Sequence, residues 1–194
     1  HDFNFLSSIC QANINITFVG DYFQHTFDTS RDGSTNKNLH VDYKKYQAKF
    51  SAMSLHIDLE TLSSSYRCSP TICSFISNFI GIEISSHRKD VKAIEFIEEP
   101  ERIDELIQCP NTVKLFYQNH QKYQCYSNNW GASKGEDHYN DVCVILNNTT
   151  LKQFKSRKLD ELVPQTKNKL YVACSRAKGN LYFIAEKVLK KYRT

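Results

Sequence analysis

Five short runs of β-branched, aromatic and aliphatic residues, separated by helix-like stretches, constrain this chain more than any other feature. They are Ile14 to Val19, Val91 to Ile97, Thr112 to Tyr117, Val142 to Leu146 and Leu181 to Ala185. Such short apolar runs suit buried strands. Between them, Phe3 to Ala12 and Asp42 to Met53 read as helices. A clearer helix follows Ser69-Pro70, with Ser69 as cap, Pro70 at the first position and Ile72, Phe75, Ile76 and Phe79 on its apolar face. Pro100 opens another through Ile107. Strands alternating with helices predict an α/β fold, a mostly parallel sheet with helices on both faces. In such sheets ligands gather on the loops at the carboxyl ends of the strands.

At 194 residues the chain can bury a sizeable core, with one domain as the default. No apolar run approaches the roughly 18 residues of a membrane span, and no signal peptide opens the sequence. Seven cysteines without a CxxC pair read as buried thiols of a cytoplasmic protein, in preference to zinc ligands or disulfides, so no metal site is expected within the chain. The net charge of +4 is unevenly spread. Glu83 to Glu105 is acidic, whereas about a dozen Lys and Arg follow from Lys152 onward. A basic C-terminal third fits a phosphate-bearing partner and equally a solvated face. Asp28 to Asn38, rich in Asp, Ser, Gly and Asn, reads as an exposed loop between two structural units.

Four strings carry chemistry. In Thr17-Phe18-Val19-Gly20-Asp21-Tyr22-Phe23-Gln24 an apolar run enters Gly-Asp, with Gln24 three residues past Asp21. The carboxylate can orient water or a base and the amide can sense a terminal phosphate, although Gly-Asp after a strand is more often a plain turn. In Leu62-Ser63-Ser64-Ser65-Tyr66-Arg67-Cys68-Ser69 an aromatic ring sits beside a guanidinium ahead of a helix. That suits a purine stacked on Tyr66 with its phosphates paired to Arg67; a core Tyr and a surface Arg is the blander alternative. Trp130-Gly131-Ala132-Ser133-Lys134-Gly135-Glu136 can bring backbone N–H groups and a lysine to phosphate, or be an ordinary basic loop. It lacks the Gly-x4-Gly-Lys-Ser/Thr spacing of a Walker A loop. In Asn168 to Ala177, residues Leu170, Ala173, Cys174 and Ala177 line one helical face. Arg176, near the end of that helix, can act as an arginine finger on a transferring phosphoryl group, or as a salt-bridge partner.

Together and in this order, VGD-x-x-Q, SYRCS, SKGE and YVACSRA resemble motifs III, IV, V and VI of the UvrD/Rep/PcrA branch of superfamily 1 helicases, with Ser175 where the family's YVA-x-TRA pattern has Thr. The resemblance runs from Asp2 to Glu186. It implies RecA-like, P-loop NTPase-type architecture, with residues 1–38 as the end of a first domain and 39–194 as a second domain without a large insertion. It implies that Gln24 couples γ-phosphate state to domain closure, that Tyr66 stacks on adenine, and that Arg67 and Arg176 approach the γ-phosphate. Asp21, Lys134 and Gly135 would belong to the nucleotide-facing set, with Glu136 or Asp137 near the ribose or phosphates. For the DNA strand the candidates are His25, Phe27, Trp130 and Ser133; the position that stacks on a base in the family aligns near Thr29, which cannot stack, and Phe27 or Tyr22 is the substitute.

The sequence departs from the family by lacking the P-loop and the Asp-Glu pair that holds Mg²⁺, with His1-Asp2-Phe3 resembling the trailing edge of a DExHD motif. The expectation is therefore half of an ATP- and Mg²⁺-dependent single-stranded-DNA translocase, inactive as an ATPase alone. The missing helicase half would come from the same longer chain or from a partner chain. A nuclease or defence-system partner is implied only by analogy. The rival is a noncatalytic DNA-docking or regulatory subunit of helicase-like fold.

Overall fold

The computed structural model describes residues 2–12, 14–25, 39 and 42–193. Helix α1 (Asp2–Cys10) and a 3-10 turn (Tyr22–Gln24) precede α2 (Tyr43–Ser51). Two-residue strands β1 (Ser64–Ser65) and β2 (Ser85–Ser86) flank α3 (Pro70–Phe75), which continues as a π-helical turn (Ile76–Ile80). There follow β3 (Ile94–Phe96), α4 (Pro100–Gln108), β4 (Thr112–Phe116) and β5 (Ser127–Asn129), then a 3-10 turn (Gly131–Ser133). Next come β6 (Asp141–Leu146), α5 (Asn148–Lys155), α6 (Pro164–Cys174), β7 (Leu181–Ala185) and a 3-10 segment (Glu186–Tyr192).

Five strands form one parallel sheet in the order β3-β7-β6-β4-β5, while β1 and β2 pair separately, also in parallel. Successive side chains of a strand face opposite ways, so a strand covered on both sides must be apolar throughout. In β6, Val142, Val144 and Leu146 pack with Ile72 of α3, Ile76 of the π-helical turn, Leu151 of α5 and Leu170 and Val172 of α6. Cys143 and Ile145 pack with Ile103, Leu106 and Ile107 of α4 and with Leu189. The expected α/β, RecA-like arrangement with helices on both faces follows from this burial.

Local chemistry sets the helix ends. The Ser69 hydroxyl accepts from the Ile72 N–H (3.4 Å), Pro70 occupies the first turn, and Gly81 at φ +69° ends the π-helical turn. Asn147 caps α5 through the Thr150 N–H (2.9 Å). Helix α6 buries Asn168 and every residue from Leu170 to Cys174, which holds the chain beyond it in a fixed place.

Two expectations are corrected. Ile14 to Val19 forms no strand: Ile14 and Val19 are exposed and no strand among the described residues pairs with it. Strand propensity expresses a fit to a half-buried pleated surface, and without that surface the residues remain merely extended. Val91 to Ile97 contracts to β3, with Val91 80% exposed. Strand β5, which no apolar run marks in the sequence, adds an edge strand through its backbone ladder to β4. The loop Asp28 to Asn38, and with it the domain boundary, lies outside the described residues. All seven cysteines are free; Cys68, Cys73, Cys143 and Cys174 are buried. No helix among the described residues is long and apolar enough to cross a membrane.

Candidate active site

Arg67 lies between β1 and α3, and Arg176 lies just past α6. The two meet at Ser175: Arg67 Nη1 donates to its carbonyl oxygen (3.3 Å), and Arg176 Nη2 donates to its hydroxyl (3.5 Å). Arg176 is only 3% exposed. Its remaining bonds go to neutral oxygens, the carbonyls of Val172 (3.3 Å) and Glu136 (3.1 Å). Burial, reinforced by the nearby Arg67 charge, pushes the Arg176 pKa down. An arginine nevertheless stays charged. Among the described residues no carboxylate bonds to Arg176, and a buried cation so placed costs several kcal/mol, which makes the place complementary to an anion.

Arg67 is compensated differently. Its Nε pairs with Asp137 Oδ1 at 2.8 Å, and Lys178 approaches the other carboxylate oxygen at 3.4 Å. The Arg67 guanidinium, with help from Lys178, holds the Asp137 carboxyl below the usual carboxylate range. The Asp137 side chain is 64% exposed. Exposed ion pairs contribute little to stability, so a phosphate oxygen can take the place of that carboxylate.

The turn Tyr22–Gln24 docks on α6. Tyr171, at 6% exposure, donates its hydroxyl to Asp21 Oδ2 (2.9 Å), while Gln24 Nε2 donates to the same oxygen (2.8 Å). Asn168 donates to the His25 carbonyl (3.3 Å). Burial, followed by the Asp21 charge, raises the Tyr171 pKa, so the phenol remains a donor. Gly20, Asp21, Gln24, Ser65, Arg67 and Arg176 thereby line one cavity of about 320 Å³. A triphosphate's terminal oxygens fit this donor set: two guanidinium groups, one of them buried, and a carboxamide.

Tyr66 is 77% exposed and stacks on His87, with centroids 3.9 Å apart and planes at 16°. In the following loop Lys134 and Gly135 are exposed, and Gly135 takes φ +88°, where glycine is favoured. Glu136 directs its carboxylate to His138 (3.1 Å) and its carbonyl to Arg176, so Asp137 is the carboxylate that reaches a finger candidate. Trp130 and Ser133, expected at the strand-binding surface, are instead fully buried. Trp130 Nε1 donates to the Leu115 carbonyl (2.8 Å) and the Ser133 hydroxyl donates to the Trp130 carbonyl (2.7 Å), so both anchor the loop from within. His25 is half-buried. Phe27 and the side chain of Asp2 lie outside the described residues. Among the described residues no three His, Cys, Asp or Glu side chains form a group able to hold a metal ion.

Sequence reasoning overlooked Tyr171, although it stands inside the YVACSRA string, and Arg88 with Asp90, which no spacing marks.

A covered parallel sheet bearing convergent guanidinium groups is consistent with a helicase-type NTPase. The family model of the viral superfamily 1 RNA helicase core domain matches residues 4–185. The chain belongs to that family, and so to the superfamily 1 helicases. The match supports the superfamily without singling out the UvrD/Rep/PcrA branch. No curated protein matches the chain.

Proposed function

We propose that this chain supplies the arginine-finger side of an ATP-dependent motor that moves along single-stranded nucleic acid. The observation that carries the reading is the meeting of Arg67 and Arg176 at Ser175, with Arg176 buried and lacking a carboxylate partner among the described residues. Arg176 stabilises charge on the terminal phosphate, and Arg67 exchanges Asp137 for a phosphate oxygen. Gln24, tied to α6 through Asp21 and Tyr171, reports the state of that phosphate. Tyr66 offers its open ring to the base, and Lys134 and Gly135 join the nucleotide-facing loop to the strand. Bound ATP supplies the phosphoryl group and Mg²⁺ neutralises its oxygens. Their cradle and carboxylates belong to residues outside these 194, with residues 1–38 part of a first RecA-like domain and 39–194 the second.

The strand is taken to be DNA from the SYRCS and YVACSRA strings; the matched family's description names RNA. A noncatalytic docking subunit has no use for two convergent guanidinium groups, which favours the motor. The test is ATP turnover by the complete protein with and without poly(dT) or poly(U). Stimulation by poly(dT) is expected, with translocation from 3′ to 5′, and residues 1–194 alone should turn over no ATP. Stimulation by poly(U) alone reassigns the strand to RNA, and absence of turnover in the complete protein overturns the motor.

A further inference from the structure

The short parallel pair behind the cavity is built in register. Ser64 stands opposite Ser85 and Ser65 opposite Ser86. Continuing that register sets Tyr66 beside His87 and Arg67 beside Arg88. The rings of the first pair stack, and the Arg88 guanidinium reaches the Arg67 carbonyl. One strand and its extension therefore carry Ser64, Ser65 and Arg67, which line the cavity, and the other carries His87 and Arg88 beside Tyr66 and Arg67.

Arg88 does more than back its neighbour. Its Nη1 donates to the Arg67 carbonyl and also to the Lys178 carbonyl (2.6 Å), two residues beyond Arg176. One guanidinium thus ties together the two loops that carry the finger candidates. Its Nε donates to Asp90 Oδ1 (2.7 Å) and its Nη2 engages Oδ2, a two-point grip that fixes the plane of the fork. The strand beneath is fastened as well, because the Ser86 hydroxyl donates to the Cys68 carbonyl (2.7 Å) and accepts from the Arg88 N–H (2.9 Å). The exposed Asp137 also bridges Arg67 and Lys178, through its two carboxylate oxygens.

We propose that Arg88, oriented by Asp90, is a positioning residue that sets the spacing of Arg67 and Arg176 without touching phosphate itself. The inference rests on the reading of those two arginines as fingers. It follows from geometry: the planar fork serves two carbonyls and a carboxylate at once, which a lysine ammonium on a flexible stem cannot reproduce.

The experiment measures steady-state ATP turnover of the complete protein carrying Arg88→Ala, Arg88→Lys, Asp90→Asn, Arg67→Ala or Arg67→Ala/Arg88→Ala, with Arg176→Ala as reference. Thermal melting reports the folded fraction, to which kcat is normalised. Misplacement of a catalytic group costs about 10²-fold, so Arg88→Ala should lower kcat by up to that factor while the KM for ATP stays within about twofold. Arg88→Lys should not restore kcat, and Arg88→Ala should add far less to Arg67→Ala than to the unaltered protein. Wild-type kcat in folded Arg88→Ala, or full additivity with Arg67→Ala, overturns the inference. If Arg88→Ala does not fold, normal kcat in both Arg88→Lys and Asp90→Asn overturns it. Arg176→Ala separates the two layers: normal turnover there removes the finger reading itself, whereas loss there with normal Arg88 variants removes only the positioning role.

Discussion

The five-stranded body and the segment from α1 through α2 use similar residues to opposite effect. In the body, β4 and β7 are buried along their whole length and β6 at every residue after Asp141. In the N-terminal segment neither Tyr22–Gln24 nor α2 buries a residue. It is held by ring contacts, with Phe3 against Phe50 (5.4 Å) and Tyr22 against Tyr43 and Tyr46 (5.0 Å each), and by the Asp21–Tyr171 bond to α6. Aromatic pairs add about 0.5–1.5 kcal/mol each, whereas fully burying a Val, Leu or Ile contributes about 1.5–3 kcal/mol. A sheet buried on both faces therefore supports the arginines, and a turn without a buried residue carries Gln24. The sensing role proposed for Gln24 suits the second kind of support.

The largest test of this division is at Arg176. An arginine finger contributes about 10³- to 10⁵-fold to kcat, so Arg176→Ala in the complete protein should lose turnover by that order while retaining nucleotide binding. Parallel kinetics and equilibrium titration with ATP distinguish the two. Gln24→Ala should cost less, because the body and the proposed fingers remain in place.

Stability should divide in the same way. Ile145 is 1% exposed and Ile14 67% exposed. Ile145→Ala should cost about 2–5 kcal/mol by denaturant unfolding, and Ile14→Ala no more than about 0.5 kcal/mol. Trp130→Ala belongs with the first, at about 3–5 kcal/mol. A Trp130 variant of native stability that loses only nucleic-acid affinity would return that residue to the strand surface. Tyr171→Phe should cost about 0.5–1.5 kcal/mol and speed amide exchange in residues 20–25 while leaving β6 protected. Equal acceleration in β6 would show that the two regions are not separable.

The legible part of the fold was the part whose signals are local or periodic. Leu181 to Ala185 reads correctly because both its faces are covered, and Ser69-Pro70 because a cap needs only its own next three residues. Ile14 to Val19 misleads because pairing depends on a neighbour the run itself cannot encode. Strand β5 is silent because Ser127, Asn128 and Asn129 join the sheet through backbone alone. At the site, the sequence marks Arg67 and Arg176 by their strings. Asp137 and Glu136 are separated only by where Gly135 turns the chain, and Arg88 emerges only when a carbonyl 21 residues upstream and another 90 residues downstream converge on it.

Two acids sharpen the contrast at the smallest scale. Asp58 and Asp90 both titrate at about 2, against an ordinary 3.8. Asp58 is held down first by the Thr61 hydroxyl and then by the N–H groups of Thr61 and Glu60, all neutral donors. Asp90 is held down first by its bonds to the Arg88 guanidinium, with Lys92 assisting. A depressed carboxylate contributes stability that is present in full above its unfolded pKa and is lost as pH falls through the folded value. Both contributions should therefore fade between about pH 4 and pH 2. Asp58→Asn and Asp90→Asn should each flatten the wild-type loss of stability across that window. Salt shortens the Debye length to about 3 Å at 1 M, which weakens the partly exposed ion pair more than neutral hydrogen bonds. The Asp90 contribution should shrink between 0.1 and 1 M salt while that of Asp58 persists, read as the wild-type minus variant stability at each pH. If Asp90 is equally insensitive to salt, the guanidinium is not what holds it, and the grip that fixes Arg88 is weaker than its geometry indicates.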